Sequence, residues 1–373
     1  MLTQTHSLLS PALGTQRTLT SFHFGSPDLG EKAYIQASLH ADELPGMLVA
    51  HHLRILLEAA EQRGELTGEV VLVPMANPIG LNQTTMHYQL GRFEHASMEN
   101  FNRHYPDFFE LLKPTLNTVL GADACANKRA IRQAMREALL AETPATELQS
   151  MRHTLMLLSH DADVVLDLHC DFEAAMHMYV EQPLLEQMQP LARCLGAKAL
   201  LWARGSGGSI SFDEALSGPW WRFAELFGHE FPIPLACAST TVELRGQTDV
   251  STAMAEQDAQ AIFTFLQHRG LVAGSPPALP EAQCEATPLS GTASLHAPHS
   301  GVIAFQVAPG ATVQVGQTLA LVVDPLGNRT TPVVSPIDGV LYARHSLRWA
   351  TANLELCRVA GTTPIRSGNL LSP

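Results

Sequence analysis

In the stretch His40-Ala41-Asp42-Glu43 an imidazole stands three positions ahead of a carboxylate, where the apolar run "KAYIQASL" gives way to a Pro45-Gly46 turn. Zinc takes imidazole nitrogen at about 2.0–2.1 Å and carboxylate oxygen at about 2.0–2.2 Å, and a catalytic site uses three protein ligands with one position left open. Two ligands flanking a tight two-residue turn can converge on one ion. His169, directly after the run "VVLDL", is placed to supply the third. Both histidines would then sit at the carboxyl ends of strands, where open α/β sheets build their functional crevice. The spacing alone is weak: H-x-x-E recurs by chance, and a lone strand-end histidine is more often a surface or hydrogen-bonded side chain. At this level "HADE" reads either as two-thirds of a metal site or as the polar edge of a helix.

The elements that must hold these residues alternate from about residue 31. "KAYIQASL", "GEVVLVPMANP", "ADVVLDLHC", "AMHMYVE", "AKALLWA" and "STTVELRG" read as strands, several of them continuous apolar runs of the kind covered on both faces. Residues 106 to 160 carry helix formers with alternating charges, as expected for solvent-facing helices over one side of a sheet. The fold expected for residues 1–275 is α/β, with a mixed, mostly buried sheet flanked by helices. Residues 276–290, rich in proline, glycine and alanine, read as a linker. Residues 291–373 change to short valine-rich strands, and "APHSGVIAFQV" is echoed by "SPIDGVLYARH" about 38 residues later. This tail resembles the small barrel-sandwich of biotinyl and lipoyl domains. Such carriers need a lysine on the turn between their halves; here that turn is "DPLGNRTTP", and Lys198 is the last lysine of the chain.

Composition narrows the function. With 46% apolar and 16% charged residues and no uninterrupted apolar run of ~20 residues, no membrane span is expected. A net charge of −13 argues against nonspecific nucleic-acid binding, which needs a basic surface. Six cysteines without a C-x-x-C pair argue against a disulfide framework or a thiolate zinc cluster. Together with an N-terminus lacking a secretory pattern, they point to the cytoplasm. Apolar strands with exposed edges often require cover, so a homo-oligomer is expected.

Four pieces occur in order: "HADE" at 40–43, "NFNRHYPD" at 100–107, "DLHCD" at 167–171 and "TVELRG" at 241–246. In this order they resemble the zinc carboxypeptidase superfamily, and within it the succinylglutamate desuccinylase/aspartoacylase branch of deacylases. The resemblance covers about residues 30 to 270, and a C-terminal β domain is a regular companion in that branch. It implies one zinc per chain, held by His40, Glu43 and His169. It implies Glu243 as the general base, and Asn102 and Arg103 as the pair that grips a substrate carboxylate, a task suited to the planar fork of arginine. Arg92 matches a further arginine that can polarise the scissile carbonyl. Asp42, Asp167 and Asp171 are left outside the ligand set, with an orienting role open for Asp167. One departure from the family is Ala41, where many members carry glycine.

The implied reaction is hydrolysis of an amide in an N-acyl amino acid or related small carboxylate. Zinc would lower the pKa of water toward about 7, and a carboxylate off the metal would take the proton and return it to the departing amine. The glycine-rich loop 203–215 reads either as a flexible connection or as a substrate contact. Arg245, two residues after Glu243, would share its side of a regular strand and offer a second anionic contact. The competing readings are a carboxypeptidase acting on short peptides, with the same metal chemistry, and a non-catalytic binding protein.

Overall fold

The computed structural model describes residues 1–371. Twelve strands precede the C-terminal region: β1 (Leu2–Ser7), β2 (Thr18–Gly25), β3 (Lys32–Ala37), β4 (Glu69–Val73), β5 (Thr84–Thr85), β6 (Tyr88–Gln89), β7 (Val164–Asp171), β8 (Glu173–Ala174), β9 (His177–Glu181), β10 (Ala199–Ala203), β11 (Ala238–Gly246) and β12 (Ala286–Pro288). The helices are α1 (Pro45–Gln62), α2 (Pro78–Leu81), α3 (Phe108–Leu112), α4 (Ala124–Ala141), α5 (Glu147–Ser159), α6 (Leu185–Leu195), α7 (Phe212–Phe227) and α8 (Thr252–His268). Nine strands form one mixed sheet in the order β1-β2-β4-β3-β7-β11-β9-β10-β12. Its centre, β4-β3-β7-β11, is parallel. Every residue of β4 and all but the last of β7 are buried, which explains their unbroken apolar runs.

Strand alternation sorts the side chains into two cores. Ala33, Ile35, Leu166, Leu168 and Val242 face α1, α6 and α8, whereas Tyr34, Val71 and Val165 face α3, α4, α5 and α7. Helix α1 begins where the Pro45 ring sets the backbone for a first turn. At Gly46 a Cβ would stand 3.0 Å from Leu168 O and 3.1 Å from Ala37 Cβ, so the missing side chain lets the helix start against the sheet. The His40–Glu43 turn is thereby pinned between strand and helix.

The C-terminal region adds β13 (Thr292–His296), β14 (Gly301–Phe305), β15 (Thr312–Val313), β16 (Thr318–Asp324), β17 (Arg329–Val334), β18 (Gly339–Arg344), β19 (Trp349–Ala350) and β20 (Glu355–Ala360). They form two sheets, β13-β20-β18-β15 and β17-β16-β14-β19, around Leu295, Ile303, Val322, Leu341 and Leu356. The segment read as a linker is not wholly irregular: β12 joins the main sheet in parallel beside β10. Three residues ending in proline give too short a pattern to announce a strand, and an edge position tolerates Pro288. Among the described residues no helix is long and apolar enough to cross a membrane.

Candidate active site

The loop after β3 starts at Ser38, buried with a left-handed φ of 57°, whose hydroxyl donates to Glu43 O at 3.1 Å. Ala41 N donates to Gly91 O at 2.9 Å, and Asn77 Nδ2 donates to Leu39 O at 2.8 Å. A Cβ on Gly91 would fall 2.2 Å from Asp42 N, so only glycine lets the 91–92 segment lie against this loop. The turn reverses the chain and directs both ligand candidates inward.

His40, Glu43 and His169 are all buried, and their ligand atoms lie within 4.8 Å of one another. Glu43 sits between the rings: Oε1 is 2.9 Å from His40 Nδ1 and Oε2 is 2.8 Å from His169 Nδ1. The far ring nitrogens are held as well. His40 Nε2 lies 2.9 Å from Asn100 Oδ1, and His169 Nε2 lies 2.9 Å from Asp167 Oδ2. Behind Asp167, Gln36 Nε2 donates to its Oδ1 and Tyr34 OH donates to Gln36, each at 2.9 Å. Such outer partners fix ring orientation and present the opposite nitrogen to an ion. The two imidazoles and one carboxylate, all converging through Nδ1 and Oε, are a donor set suited to zinc.

Charge supports that reading. Burial, then Arg92, lowers His40 to about 4, so its ring is neutral and able to ligate at pH 7. Burial alone would raise Glu43, yet His40 and His169 hold it well below the usual carboxylate range. Burial opposes charge on His169 as well, but Asp167 and Glu43 prevail and push its pKa well up. The pull of two carboxylates on one ring equally favours a divalent cation, which would compete with that proton.

The other sequence-derived residues divide into those that reach the same cavity and one that does not. Arg92 Nη1 lies 3.4 Å from both Glu43 Oε1 and His40 Nδ1. Asn102 Oδ1 accepts from Phe212 N at 2.8 Å, while its Nδ2 lies 3.4 Å from His169 Nε2, tying the start of α7 to the site. Arg103 is buried, with Nη1 donating to Asn102 O at 2.7 Å; burial and Arg92 lower its pKa while Glu214 and Asp213 oppose. Glu243, beside His169 in the β7–β11 register, has Oε2 buried with no hydrogen-bond partner among the described residues. Burial first, then Glu43, raises its carboxyl to about 8. All four line one cavity of about 930 Å³ with His40 and His169.

Arg245 does not join them. Its φ of 65° breaks the strand alternation, and its guanidinium pairs with Asp258 of α8. Asp42 accepts from Gln247 instead of turning to the triad. Loop 203–215 does border the cavity, through Gly205, Ser206, Ser211, Asp213 and Glu214, and Ser211 with Glu214 forms a capping box at α7. Sequence reasoning missed Asn100, the first residue of the N-F-N-R piece. Its only signal is that position, since nothing local says that its amide will meet a ring sixty residues upstream.

A profile of the succinylglutamate desuccinylase/aspartoacylase catalytic domain matches residues 29–269. Among solved structures, a succinylglutamate desuccinylase/aspartoacylase family protein from Shewanella amazonensis is similar at 26% identity and TM-score 0.84, over 96% of this chain and 98% of that one. A second, from Shewanella frigidimarina, is similar at 25% identity and TM-score 0.83, over 96% of each chain. The ectoine utilization protein EutE (DoeB) from Ruegeria pomeroyi shares the fold at 16% identity and TM-score 0.67, over 97% of this chain and 94% of that one. No curated relative matches the sequence.

Proposed function

This chain belongs to the succinylglutamate desuccinylase/aspartoacylase family, and from that premise we propose that it is a zinc-dependent hydrolase cleaving the amide bond of an N-acyl amino acid or related small carboxylate. The observation that carries the proposal is the buried, unpartnered Glu243 Oε2 in the same cavity as the His40–Glu43–His169 cluster. A buried carboxylate oxygen without a partner is costly, and a base that must meet a water and then an amine is a reason to keep one.

His40, Glu43 and His169 would hold one zinc per chain. When bound, the ion supplies the Lewis acidity that makes water a nucleophile near neutral pH. Glu243 is protonated below about pH 8 in the metal-free chain, but a cation bound beside it would favour its carboxylate, which would take a proton from water and deliver it to the amine nitrogen as the C–N bond breaks. Arg92 places a guanidinium where the carbonyl oxygen gathers negative charge. Arg103, held by the Asn102 carbonyl, binds the substrate carboxylate and sets the scissile bond against Glu243. Asn102 fixes the α7 wall beside His169.

Arg344, His345 and Arg358 of the C-terminal region wall the same cavity, which favours small substrates over peptides. Six unpaired cysteines suit a reducing compartment, and we place the reaction in the cytoplasm. Metal analysis of the purified chain, followed by a panel of N-acyl amino acids beside short peptides, tests the proposal. About one zinc per chain and turnover of the acyl amino acids are expected; a chain that takes up no zinc, or cleaves only peptides, contradicts it.

A further inference from the structure

His169 is followed by a segment that belongs to two sheets at once. Residues up to Asp171 run in β7, but Glu173 and Ala174 pair antiparallel with Arg344 and Ala343 of β18, and Ala175 N donates to Tyr342 O at 2.9 Å. The junction is held by side chains from the C-terminal region. Arg358 Nη1 lies 3.1 Å from Asp171 Oδ2, and the other carboxylate oxygen accepts from Phe172 N at 2.8 Å. Arg344 and Arg348 reach the two oxygens of Glu173 at 2.6 and 2.5 Å. His345 stacks on Phe172 with ring centroids 4.4 Å apart and planes 17° from parallel.

One residue before Asp171, Cys170 N donates to Glu43 Oε2 at 3.0 Å, the same oxygen that faces His169 Nδ1. Strand end 169–171 therefore supplies one ligand candidate and the amide that orients another. A strand end that enters an irregular segment would fray unless something tied it down. Here Gln247 N holds the backbone by donating to Asp171 O at 3.0 Å, and an arginine from β20 holds the Asp171 side chain.

We infer that the C-terminal region is a working part of the metal centre, with Arg358 a positioning residue that acts through Asp171 on His169 and on the Cys170 amide that aims Glu43. The inference rests on the metal-site reading above. Outer groups that orient metal ligands commonly change affinity or activity about 10–100-fold when removed. Arg358→Met should therefore weaken zinc binding within that range, and because Arg358 also walls the cavity, zinc affinity and not KM is the readout that decides. Asp171→Asn should do the same. The double variant should be no worse than the stronger single, since both changes break one contact.

The test is a zinc titration with a chromophoric competitor, with steady-state kinetics, on the full chain and these variants. Hydrogen exchange over residues 168–175 of the metal-free proteins gives a readout that needs neither zinc nor substrate, and exchange there should quicken in both single variants. Unchanged zinc affinity and unchanged exchange in a folded Arg358→Met overturn the inference, as do fully additive effects. Should that variant not fold, Arg358→Lys keeps the charge without the fork and should show a smaller loss of the same kind; wild-type zinc affinity there is equally fatal. Wild-type protein that takes up no zinc removes the functional reading, while the exchange data still decide whether the clamp exists.

Discussion

Burying a carboxylate oxygen with no donor in reach costs free energy that the fold must recover elsewhere, and among the described residues Glu243 Oε2 is one such oxygen, as is Asp42 Oδ1. Glu243→Gln should keep zinc, lose at least ~10²–10⁴ of kcat, and leave the protein no less stable above pH 8, where Glu243 is ionised and a neutral amide is easier to bury than a carboxylate. Stoichiometric zinc with near wild-type turnover in that variant would remove Glu243 as the base. Arg103→Ala should raise KM for carboxylate-bearing substrates about 10-fold or more, in line with a charge-assisted hydrogen bond, and leave a neutral amide analogue almost unaffected. An equal effect on both substrates would rule out the anchoring role. His40, Glu43 and His169 stand out as candidate ligands by residue type and spacing, whereas Arg92, Asn102, Arg103 and Glu243 are candidates that only the resemblance to the family implies. Asn100 and Asp167 could not be given their roles so: which nitrogen of each ring faces Glu43 depends on side-chain orientation across separate segments, and no local pattern encodes it.

Strands and helices bring acidic groups to the cavity as well as ligands. Glu181 ends β9, where Trp221 Nε1 and the Ser217 hydroxyl of α7 donate to its two oxygens at 2.9 and 2.6 Å. Burial raises its carboxyl from an ordinary 4.5 to about 8; the two donors oppose the rise, and Glu214 and Asp213 add to it. The raised folded-state value makes its contribution to stability complete below pH 4.5, and that contribution is lost as pH climbs through about 8. Glu181→Gln should flatten this dependence, nearly matching wild type in stability at pH 4.5 and exceeding it above pH 8 by on the order of a few kcal/mol, read as a higher Tm. Parallel Tm profiles for the two proteins would show that Glu181 is not the group responsible. The long elements were legible because buried parallel strands and amphipathic helices write their periods plainly. Strand β12, three residues at an edge, was hidden within a proline-rich stretch, and the kink at Arg245 was invisible because its left-handed backbone is not a property of arginine.

Across the whole molecule, the C-terminal sheets are joined to the catalytic fold by more than a connecting segment. Strand β8 extends their sheet, and Ala174, Ala199 and Leu201 share a buried cluster with Leu289, Tyr342, Ala343 and Ala360. A sandwich with its own core could unfold by itself, as the sequence pattern suggests, but this second cluster would then be exposed on both sides at the cost of its apolar burial. The expected result is one calorimetric transition for the full chain, with the van't Hoff and calorimetric enthalpies in agreement. Ala343, 2% exposed, stands at the centre of the junction, and Ala343→Trp would overfill it, costing about 1–3 kcal/mol or more. That substitution should split the transition in two and lower activity together with the melting of the catalytic part. Two transitions in the unaltered protein would instead make the C-terminal region an independent domain, and His169 would then owe its place to the main sheet alone.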